Sequence, residues 1–202
     1  MIAAGNAPAA DYAGRVILVV DHRDSFTYNL VQLIERLGHP TEVVATDAEP
    51  AEALAARRPD AVVLSPGPGS PAGAAVFLDL LAALPAATPV LGVCLGHQAL
   101  GVAAGAPVVR GEPVHGHASP VFHEGRGIFG GIPVPFDAAR YHSLRVRRED
   151  LPPEIEVTAW TEDDVVMGLA RRDRPWFGVQ FHPESILTPE GPRIVGNFLA
   201  LA

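Results

Sequence analysis

The sequence predicts an α/β fold with a mainly parallel central sheet flanked by helices and an antiparallel C-terminal extension. In the first half of the chain, short runs of branched apolar residues alternate with segments of helical spacing, which is typical of parallel sheets. From Pro107 onward, short β patterns follow one another with few helix signals between them, which favours antiparallel pairing. Because 48% of the 202 residues are apolar, the chain can enclose a sizeable core.

The first half of the chain is predicted to contain four strands, each followed by a helix. The predicted strands are 16–20, 41–45, 61–64 and 90–93, and the predicted helices are about 26–37, 51–57, 74–84 and 96–104. The run at 16–20 is continuously apolar and rich in branched residues, which is typical of a strand buried on both faces. Asp24 or Ser25 can cap the first helix, and Gly38 and Pro40 can end it.

The second half is predicted to contain short strands and one closing helix. The strand candidates are 108–109, 119–122, 141–146, 154–160, 165–169 and 177–181. The helix is expected from about Pro189 to Leu201, with Thr188 as its N-cap. We expect a single domain over residues 15–202, preceded by a loose extension at residues 1–14 that lacks the pattern of a secretory signal.

The composition excludes several classes of function. A net charge of −8 argues against a nucleic-acid partner. No apolar run approaches the ~20 residues of a membrane span, and the one cysteine excludes an internal disulfide, so we expect a cytoplasmic protein. All 15 basic residues are arginine, which excludes a Schiff-base lysine and a phosphate-loop lysine.

The segment around Cys94 predicts a nucleophile at a sharp turn between a strand and a helix. Gly92 and Gly96 stand two residues on either side of Cys94, which is the pattern of a nucleophile elbow. A thiol at the start of a helix lies near the positive end of the helix dipole, and this favours the reactive thiolate. A lone cysteine is more often a small buried apolar residue, but the paired glycines favour a chemical site.

A His-Pro-Glu sequence near the C-terminus can supply the base that a cysteine nucleophile needs. Histidine has a pKa suited to proton transfer, and the Glu184 carboxylate can orient the His182 ring. The amide of Leu95, directly after the nucleophile, is one candidate oxyanion donor. Gly67, in a Ser-Pro-Gly-Pro-Gly loop that is otherwise an ordinary turn signal, is the candidate for the second donor.

Together these residues resemble the class I glutamine amidotransferase family over nearly the whole chain from about Arg15. The cysteine and His-Pro-Glu motifs mark the class. Asp-Ser-Phe-Thr-Tyr-Asn-Leu at 24–30 and Tyr-His-Ser-Leu at 141–144 narrow the resemblance to the chorismate-using branch. That branch contains the glutaminase subunits of anthranilate synthase, for tryptophan biosynthesis, and of aminodeoxychorismate synthase, for folate biosynthesis. We expect the former, with the latter or a related secondary-metabolite synthase as alternatives.

The resemblance implies that Cys94 attacks the side-chain amide of glutamine, while His182, oriented by Glu184, gives a proton to the departing ammonia. It also implies that Leu95 and Gly67 hold the oxyanion. The ammonium and carboxylate of the amino acid are assigned to Gly69, Gln98, Ser143 and Leu144. The side-chain amide at position 98 can both donate and accept, as a zwitterion requires.

The resemblance also implies a synthase partner. The chain is too short to hold a chorismate site, and ammonia released into water at neutral pH is mostly protonated, so direct transfer is needed. We expect the partner to dock over the elbow, on the helix that begins at Asp24 and on the loop at 114–119. No cofactor or metal is expected in this chain, and Mg²⁺ is expected on the partner.

Two segments depart from the family pattern. The family usually has Asn-Tyr where this chain has His22-Arg23, and His-Gly-Lys where this chain has His-Gly-His at 115–117. Both segments lie in the expected interface, so they bear on the partner rather than on the triad. His117 carries a lysine-like charge only in acid. With His123, these histidines still lack the carboxylate or cysteine of a familiar metal site.

Two alternative functions use some of the same residues. An esterase with a Gly-x-Cys-x-Gly elbow normally has its acid before its histidine, whereas Glu184 follows His182. A non-catalytic docking subunit is expected to have lost at least one member of the triad. Cys94, His182 and Glu184 are all present, which argues against that alternative.

Overall fold

The structure, a computed structural model, describes residues 16–202, and the predicted extension at 1–14 lies outside the described residues. The strands are β1 (Ile17–Asp21), β2 (Thr41–Ala45), β3 (Ala61–Leu64), β4 (Val90–Val93), β5 (Val108–His123), β6 (Phe136–Val146), β7 (Ile155–Trp160), β8 (Val166–Arg171) and β9 (Trp176–Val179). The helices are α1 (Thr27–Arg36), α2 (Ala51–Ala56), α3 (Ala75–Ala83), α4 (Leu95–Ala103) and α5 (Gly191–Leu199). Short 3₁₀ helices occupy Pro71–Gly73, Gly127–Phe129 and Arg148–Asp150.

The strands form one mixed sheet in the order β2-β1-β3-β4-β9-β8-β7-β5-β6. The strands from β2 to β9 in this order are parallel to one another, and the remaining strands continue the sheet in antiparallel pairs. This arrangement confirms the predicted fold class. The last strand differs from the prediction, which places it in the antiparallel extension. Strand β9 pairs parallel with β4 and antiparallel with β8, and so joins the two halves of the sheet.

The strand boundaries differ from the prediction in the second half of the chain. The sequence pattern predicts separate strands at 108–109 and 119–122, but both belong to the 16-residue strand β5. Its pairing with β6 shifts register between Arg110 and Val114 and again between His115 and His117. Such irregularities interrupt the alternation of apolar and polar residues, so the sequence pattern does not show one continuous strand.

Both predicted helix caps are wrong. The N-cap of α1 is Phe26, and the Asp24 carboxylate instead accepts the N–H of Phe26 at 2.7 Å. Helix α5 begins beyond Thr188, whose hydroxyl has other partners. That hydroxyl donates to the carbonyl of His182 at 2.7 Å and accepts the N–H of Ala139 at 2.9 Å, so it ties the His182 loop to β6.

The side chains of the parallel strands alternate between two apolar layers, one on each face of the sheet. Ile17 and Val19 pack in the layer that contains α1 and α5. Leu18 and Val20 pack in the layer that contains α2, α3 and α4. Because helices cover both faces, the edge at the carboxyl ends of the parallel strands is the place where chemically active side chains can gather.

The turn between β4 and α4 has no room for a side chain at Gly92 or Gly96, which lie two residues before and two residues after Cys94. A Cβ on Gly92 would overlap the backbone of Gly96, and a Cβ on Gly96 would overlap the carbonyl of Leu64 in β3. Cys94 itself has φ 51° and ψ −97°, which residues with side chains rarely adopt. Its N–H donates to the carbonyl of Val179 at 2.8 Å. Close packing of β3, β4 and β9 therefore holds the strained turn.

We expect Gly96→Ala to lower the free energy of unfolding by about 1–3 kcal/mol, because the new methyl group must push the β3 backbone away. Urea unfolding at an unchanged slope would measure this loss. Gly196→Ala in α5 is the matched control, since a Cβ there meets nothing within 4 Å. Alanine favours the helix, so the control should gain about 0.5–1 kcal/mol. Equal midpoints for Gly96→Ala and the unchanged chain would refute the steric argument.

Candidate active site

Cys94 stands directly before the first residue of α4, at the carboxyl end of the central strand β4. The residue is buried, with 6% of its surface exposed. The N–H groups of the first helical turn, beginning with Leu95, have no partner within the helix. They and the helix dipole favour negative charge at this point, which suits both a thiolate and a developing oxyanion.

His182 and Glu184 lie beside Cys94 on the loop that follows β9. The Nδ1 atom of His182 is 2.6 Å from the Oε1 atom of Glu184, and both side chains are buried. Burial lowers the pKa of this imidazole, but the Cys94 sulfur and the Glu184 carboxylate outweigh it and raise the pKa of His182 to about 10. The ring is therefore an imidazolium at neutral pH, the state that suits a neighbouring thiolate.

Two other buried histidines near the site are neutral. Burial lowers the pKa of His97 to about 3, and its ring packs so closely against Gly178 of β9 that no side chain would fit there. Burial and the charge of Arg140 lower the pKa of His142 to about 4. Because a neutral imidazole is a far weaker acid than an imidazolium, His182 is the one of these three rings that is suited to give a proton at neutral pH.

A chain of hydrogen bonds fixes the tautomer of His142. The Nε atom of Arg140 donates to the Nε2 atom of His142 at 3.2 Å, so Nε2 carries no proton. The remaining proton is on Nδ1, which donates to the carbonyl of Leu144 at 3.0 Å. The same carbonyl accepts from the Nε2 atom of Gln98 at 3.1 Å. Both lone pairs of this carbonyl are thus occupied by protein donors.

The amide of Gln98 is also fixed in direction. Its Nε2 atom donates to Leu144 and, at 3.1 Å, to the Oε1 atom of Gln180. Both N–H bonds are therefore committed to the protein, and the oxygen is the group of Gln98 that a ligand can bind. The predicted use of this amide as a donor to a ligand would require one of these two protein bonds to break, whereas the oxygen can accept without such a change.

A cavity of about 170 Å³ opens over Cys94. It is lined by every residue predicted for the oxyanion hole and the substrate, namely Gly67, Gly69, Leu95, Gln98, Ser143 and Leu144, and by Pro68, Tyr141 and His142. A larger cavity of about 320 Å³ lies beside residues 127–129, and arginine–carboxylate ion pairs occupy its rim. Its lining includes no cysteine and no histidine, whereas Cys94 lines the smaller cavity, so the smaller cavity is the candidate active site.

The loop at 65–69 presses against the elbow. A Cβ on Gly67 would lie 2.8 Å from the Cδ2 atom of Leu95 and 2.9 Å from the Cδ2 atom of His22. The N–H of His22 donates to the hydroxyl of Ser65 at 2.8 Å, which anchors the loop. His22, one of the departures from the family pattern, therefore supports the backbone next to the predicted oxyanion donor.

The comparison with known families agrees with this geometry. Residues 18–202 match the family described as glutamine amidotransferase class-I. The chain belongs to this family. The predicted family is thereby confirmed over almost the whole described chain.

Several relatives of this amidotransferase carry more specific names. The chain is 49% identical to anthranilate synthase component 2 of Azospirillum brasilense, over 91% of this chain and 95% of that protein. It is 50% identical to anthranilate synthase component 2 of Mycobacterium tuberculosis, over 91% of this chain and 81% of that protein. It is also 50% identical to aminodeoxychorismate synthase of Streptomyces griseus over 90% of this chain, but it spans only 25% of that longer protein.

Among solved structures, the fold of this amidotransferase matches a protein from Thermoplasma acidophilum that is described as part of a GMP synthase. The TM-score is 0.83 at 27% identity, over 93% of each chain. Among residues 16–202, no helix combines the length and apolarity that crossing a membrane requires. In the same part of the chain, no three His, Cys, Asp or Glu side chains are grouped so that they could hold a metal ion.

The structure places two residues at the site that sequence reasoning missed. Gln180 lies fully buried between Gln98 and Cys94, and its Nε2 atom is 3.5 Å from the sulfur. The ring of Tyr141 contacts the ring of His182 edge to face, with ring centroids 5.1 Å apart. Both residues belong to sequence motifs that indicate the family through their other members. The signal that could have revealed Gln180 is its position two residues before His182, and Tyr141 has no comparable signal.

We expect the free energy of unfolding of this amidotransferase to fall as the pH drops from about 6.5 toward 3. In that interval His97 and His142 bind protons in the unfolded chain but stay neutral in the folded state, because folding lowers their pKa values. Acid therefore favours unfolding. Urea unfolding at about pH 7 and about pH 5 measures the difference. In His97→Leu one of the two groups is gone, so the difference should shrink. His117→Leu, at an exposed position, is the control and should leave it unchanged. An unaltered difference in His97→Leu would contradict the explanation.

Proposed function

We propose that this amidotransferase hydrolyses glutamine to glutamate and passes the ammonia to a chorismate-using synthase subunit, with anthranilate as the final product. The observation that carries the proposal is the charged His182–Glu184 pair beside a cysteine at a helix N-terminus, under a cavity lined by the predicted substrate residues. The names of the relatives support the synthase assignment. An unpaired reactive cysteine fits a reducing compartment, so we place the reaction in the cytoplasm.

In the first step, the Cys94 thiolate attacks the side-chain amide carbon of glutamine, and the carbonyl oxygen becomes an oxyanion. We assign the N–H groups of Leu95 and Gly67, which line the cavity, to hold that charge. The His182 imidazolium then gives its Nε2 proton to the amide nitrogen, the C–N bond breaks, and ammonia leaves. The products are a γ-glutamyl thioester on Cys94 and a neutral His182.

In the second step, water replaces ammonia. Neutral His182 takes a proton from the water, whose oxygen attacks the thioester carbon, and the C–S bond breaks to release glutamate. The thiolate of Cys94 and the imidazolium of His182 are restored together. Glu184 keeps the Nδ1 proton of the ring in place throughout, so that Nε2 is the atom that gives and takes the proton.

The fixed hydrogen bonds suggest how the two charged groups of the amino acid are told apart. The Gln98 oxygen is an acceptor and suits the ammonium group of the substrate. The carbonyl of Leu144 already has two protein donors, and we assign the carboxylate to backbone N–H groups of the lining residues Gly69, Ser143 and Leu144. The site would then recognise an α-amino acid through one acceptor and a group of donors.

The surface around the cavity offers a place for the synthase subunit. The ring of Tyr141 touches His182, Phe26 before α1, and His115 of β5, with centroids 5.1–5.3 Å apart. Both segments predicted to dock the partner therefore meet at one side chain that contacts the proposed base. Tyr28 on α1 is 60% exposed, so the first of these segments offers apolar area. Ile186, two residues after Glu184, is 94% exposed and adds apolar area on the loop that carries the proposed base.

The departures from the family pattern fall on this surface. Arg23 has a positive φ of 54° and its side chain pairs with Asp47 in an exposed ion pair. His117 is exposed on β5. We propose that these residues tune the contact with the partner, and that any Mg²⁺ needed for chorismate chemistry is held by the partner. None of the steps above requires a metal or cofactor in this chain.

A second candidate function is favoured by one observation. The identity to the Streptomyces griseus aminodeoxychorismate synthase, 50%, equals or exceeds the identity to the anthranilate synthase components. In that case the same chemistry at Cys94 would serve folate biosynthesis. The two functions differ in the product that the partner makes, so the product decides between them.

The experiment combines this chain with glutamine, chorismate, Mg²⁺ and each candidate synthase subunit from the same organism, followed by identification of the aminated product. We expect anthranilate. Cys94→Ser should abolish synthesis from glutamine, because the hydroxyl is not ionised, and should leave synthesis from ammonium salts intact. Glutamine-dependent synthesis by Cys94→Ser would exclude Cys94 as the nucleophile. Aminodeoxychorismate as the product would select the second candidate.

Glu184→Gln tests the state of His182. Because the carboxylate is one of the groups that raise the pKa of His182, its loss should lower that pKa and move the alkaline limb of the glutaminase pH profile toward acid. The rate should also fall because the ring loses its orienting partner. Glu190→Gln, at a residue outside the cavity, is the control. An alkaline limb that stays in place in Glu184→Gln would contradict this role.

A further inference from the structure

Gln180 occupies a position that the mechanism above does not use. The residue is fully buried, directly after β9 and two residues before His182. Its backbone N–H donates to the carbonyl of Met167 at 2.9 Å, so the main chain is fixed by β8. Its side-chain amide bridges Gln98 of α4, at 3.1 Å, and the sulfur of Cys94, at 3.5 Å.

The direction of the Gln180 amide follows from the carbonyl of Leu144, which can only accept a hydrogen bond. The carbonyl of Leu144 has no proton to give, so Gln98 must turn its NH₂ group toward it. The same nitrogen is 3.1 Å from Gln180, so the atom of Gln180 that faces it must be the oxygen. The nitrogen of Gln180 then faces the sulfur of Cys94. Reversing either amide would bring two like atoms together.

We propose that Gln180 is a positioning residue that donates an N–H to the Cys94 sulfur, favours its thiolate form and keeps the His182 loop aligned with the first turn of α4. The proposal rests on the proposed function in that the thiolate it stabilises is the nucleophile of glutamine hydrolysis. A donor of fixed direction in a buried site favours a negative sulfur because the bond is stronger to the charged form than to the thiol.

Other titratable groups around the sulfur must be considered in any test that uses pH. They are His182 and Glu184 on the loop after β9, His97 on α4, and His142 and Tyr141 on β6. His97 and His142 are neutral above about pH 4 and do not change charge in the alkaline range. The substitutions below leave all of these residues in place, so a difference between variants reports the contact of residue 180 with the sulfur.

The test is the pH dependence of alkylation by iodoacetamide, in which the thiolate displaces iodide and the alkylated product is counted by mass spectrometry. Cys94 is the one cysteine of the chain, so the measurement needs neither glutamine nor a partner. In Gln180→Met, which keeps the length of the side chain but has no N–H, we expect the midpoint to rise by about one pH unit. Below the midpoint, alkylation should be about tenfold slower.

A second variant distinguishes loss of the N–H from loss of packing around residue 180. Gln180→Glu keeps the acceptor for Gln98 and nearly the same shape, but it places a carboxylate oxygen where the N–H faced the sulfur. The midpoint should rise further than in Gln180→Met, because two negative groups then face each other. The control is Asn197→Leu, which removes another partly buried amide that donates to the carbonyls of Ile128 and Gly130, and should leave the midpoint unchanged.

The outcomes separate this proposal from the proposed function. A raised midpoint in both Gln180 variants, with Asn197→Leu unchanged, supports the contact even if the unchanged chain shows no glutaminase activity with any partner. Glutamine hydrolysis that falls in the Gln180 variants while the midpoint stays where it was would overturn the proposal, since residue 180 would then be structural. If Gln180→Met does not fold, Gln180→Glu decides, and an unshifted midpoint there also overturns it.

Discussion

The strained turn at Cys94 is the constraint on which the rest of the structure depends. A φ of 51° combined with a ψ of −97° is unfavourable for a residue with a side chain, so the surrounding contacts must hold it in place. Here β3 closes against Gly96, and a hydrogen bond from Cys94 to β9 fixes the other side. The parallel strands and the two apolar layers that cover them therefore do more than form a core. They provide a rigid frame in which one unfavourable backbone conformation can be maintained.

The three buried histidines around the site differ in charge. His97, His142 and His182 are all buried, yet two are neutral and one is charged. The difference lies in their partners, because His182 has a carboxylate and a sulfur beside it whereas His142 has a guanidinium. Burial amplifies these interactions, since the low dielectric strengthens each contact with a partner and penalises each charge without one. The same residue type is thus neutral at two buried positions and charged at a third.

The order of strands and helices in the first half could be predicted because each buried strand appears as a continuous apolar run. The residues around the cavity could be predicted because the Cys94 elbow and the His-Pro-Glu motif impose their own local geometry. Other features depend on contacts between distant segments. The true partners of Thr188, the irregular course of β5 and the direction of the Gln180 amide follow from register and packing, which no local pattern specifies. Gln180 in particular acquires meaning only when α4 and β9 are neighbours.

The position of β9 has a consequence for the order in which the molecule forms. This strand is followed by a single helix in sequence, yet it lies in the middle of the sheet between β4 and β8. During synthesis, the edges of β4 and β8 that face β9 remain unpaired until β9 itself has been made, so the sheet cannot close earlier. The loop that carries His182 is the last to arrive beside the sulfur. A chain that ends before this loop therefore has the Cys94 thiol but lacks the His182–Glu184 pair that stands beside it in the fold.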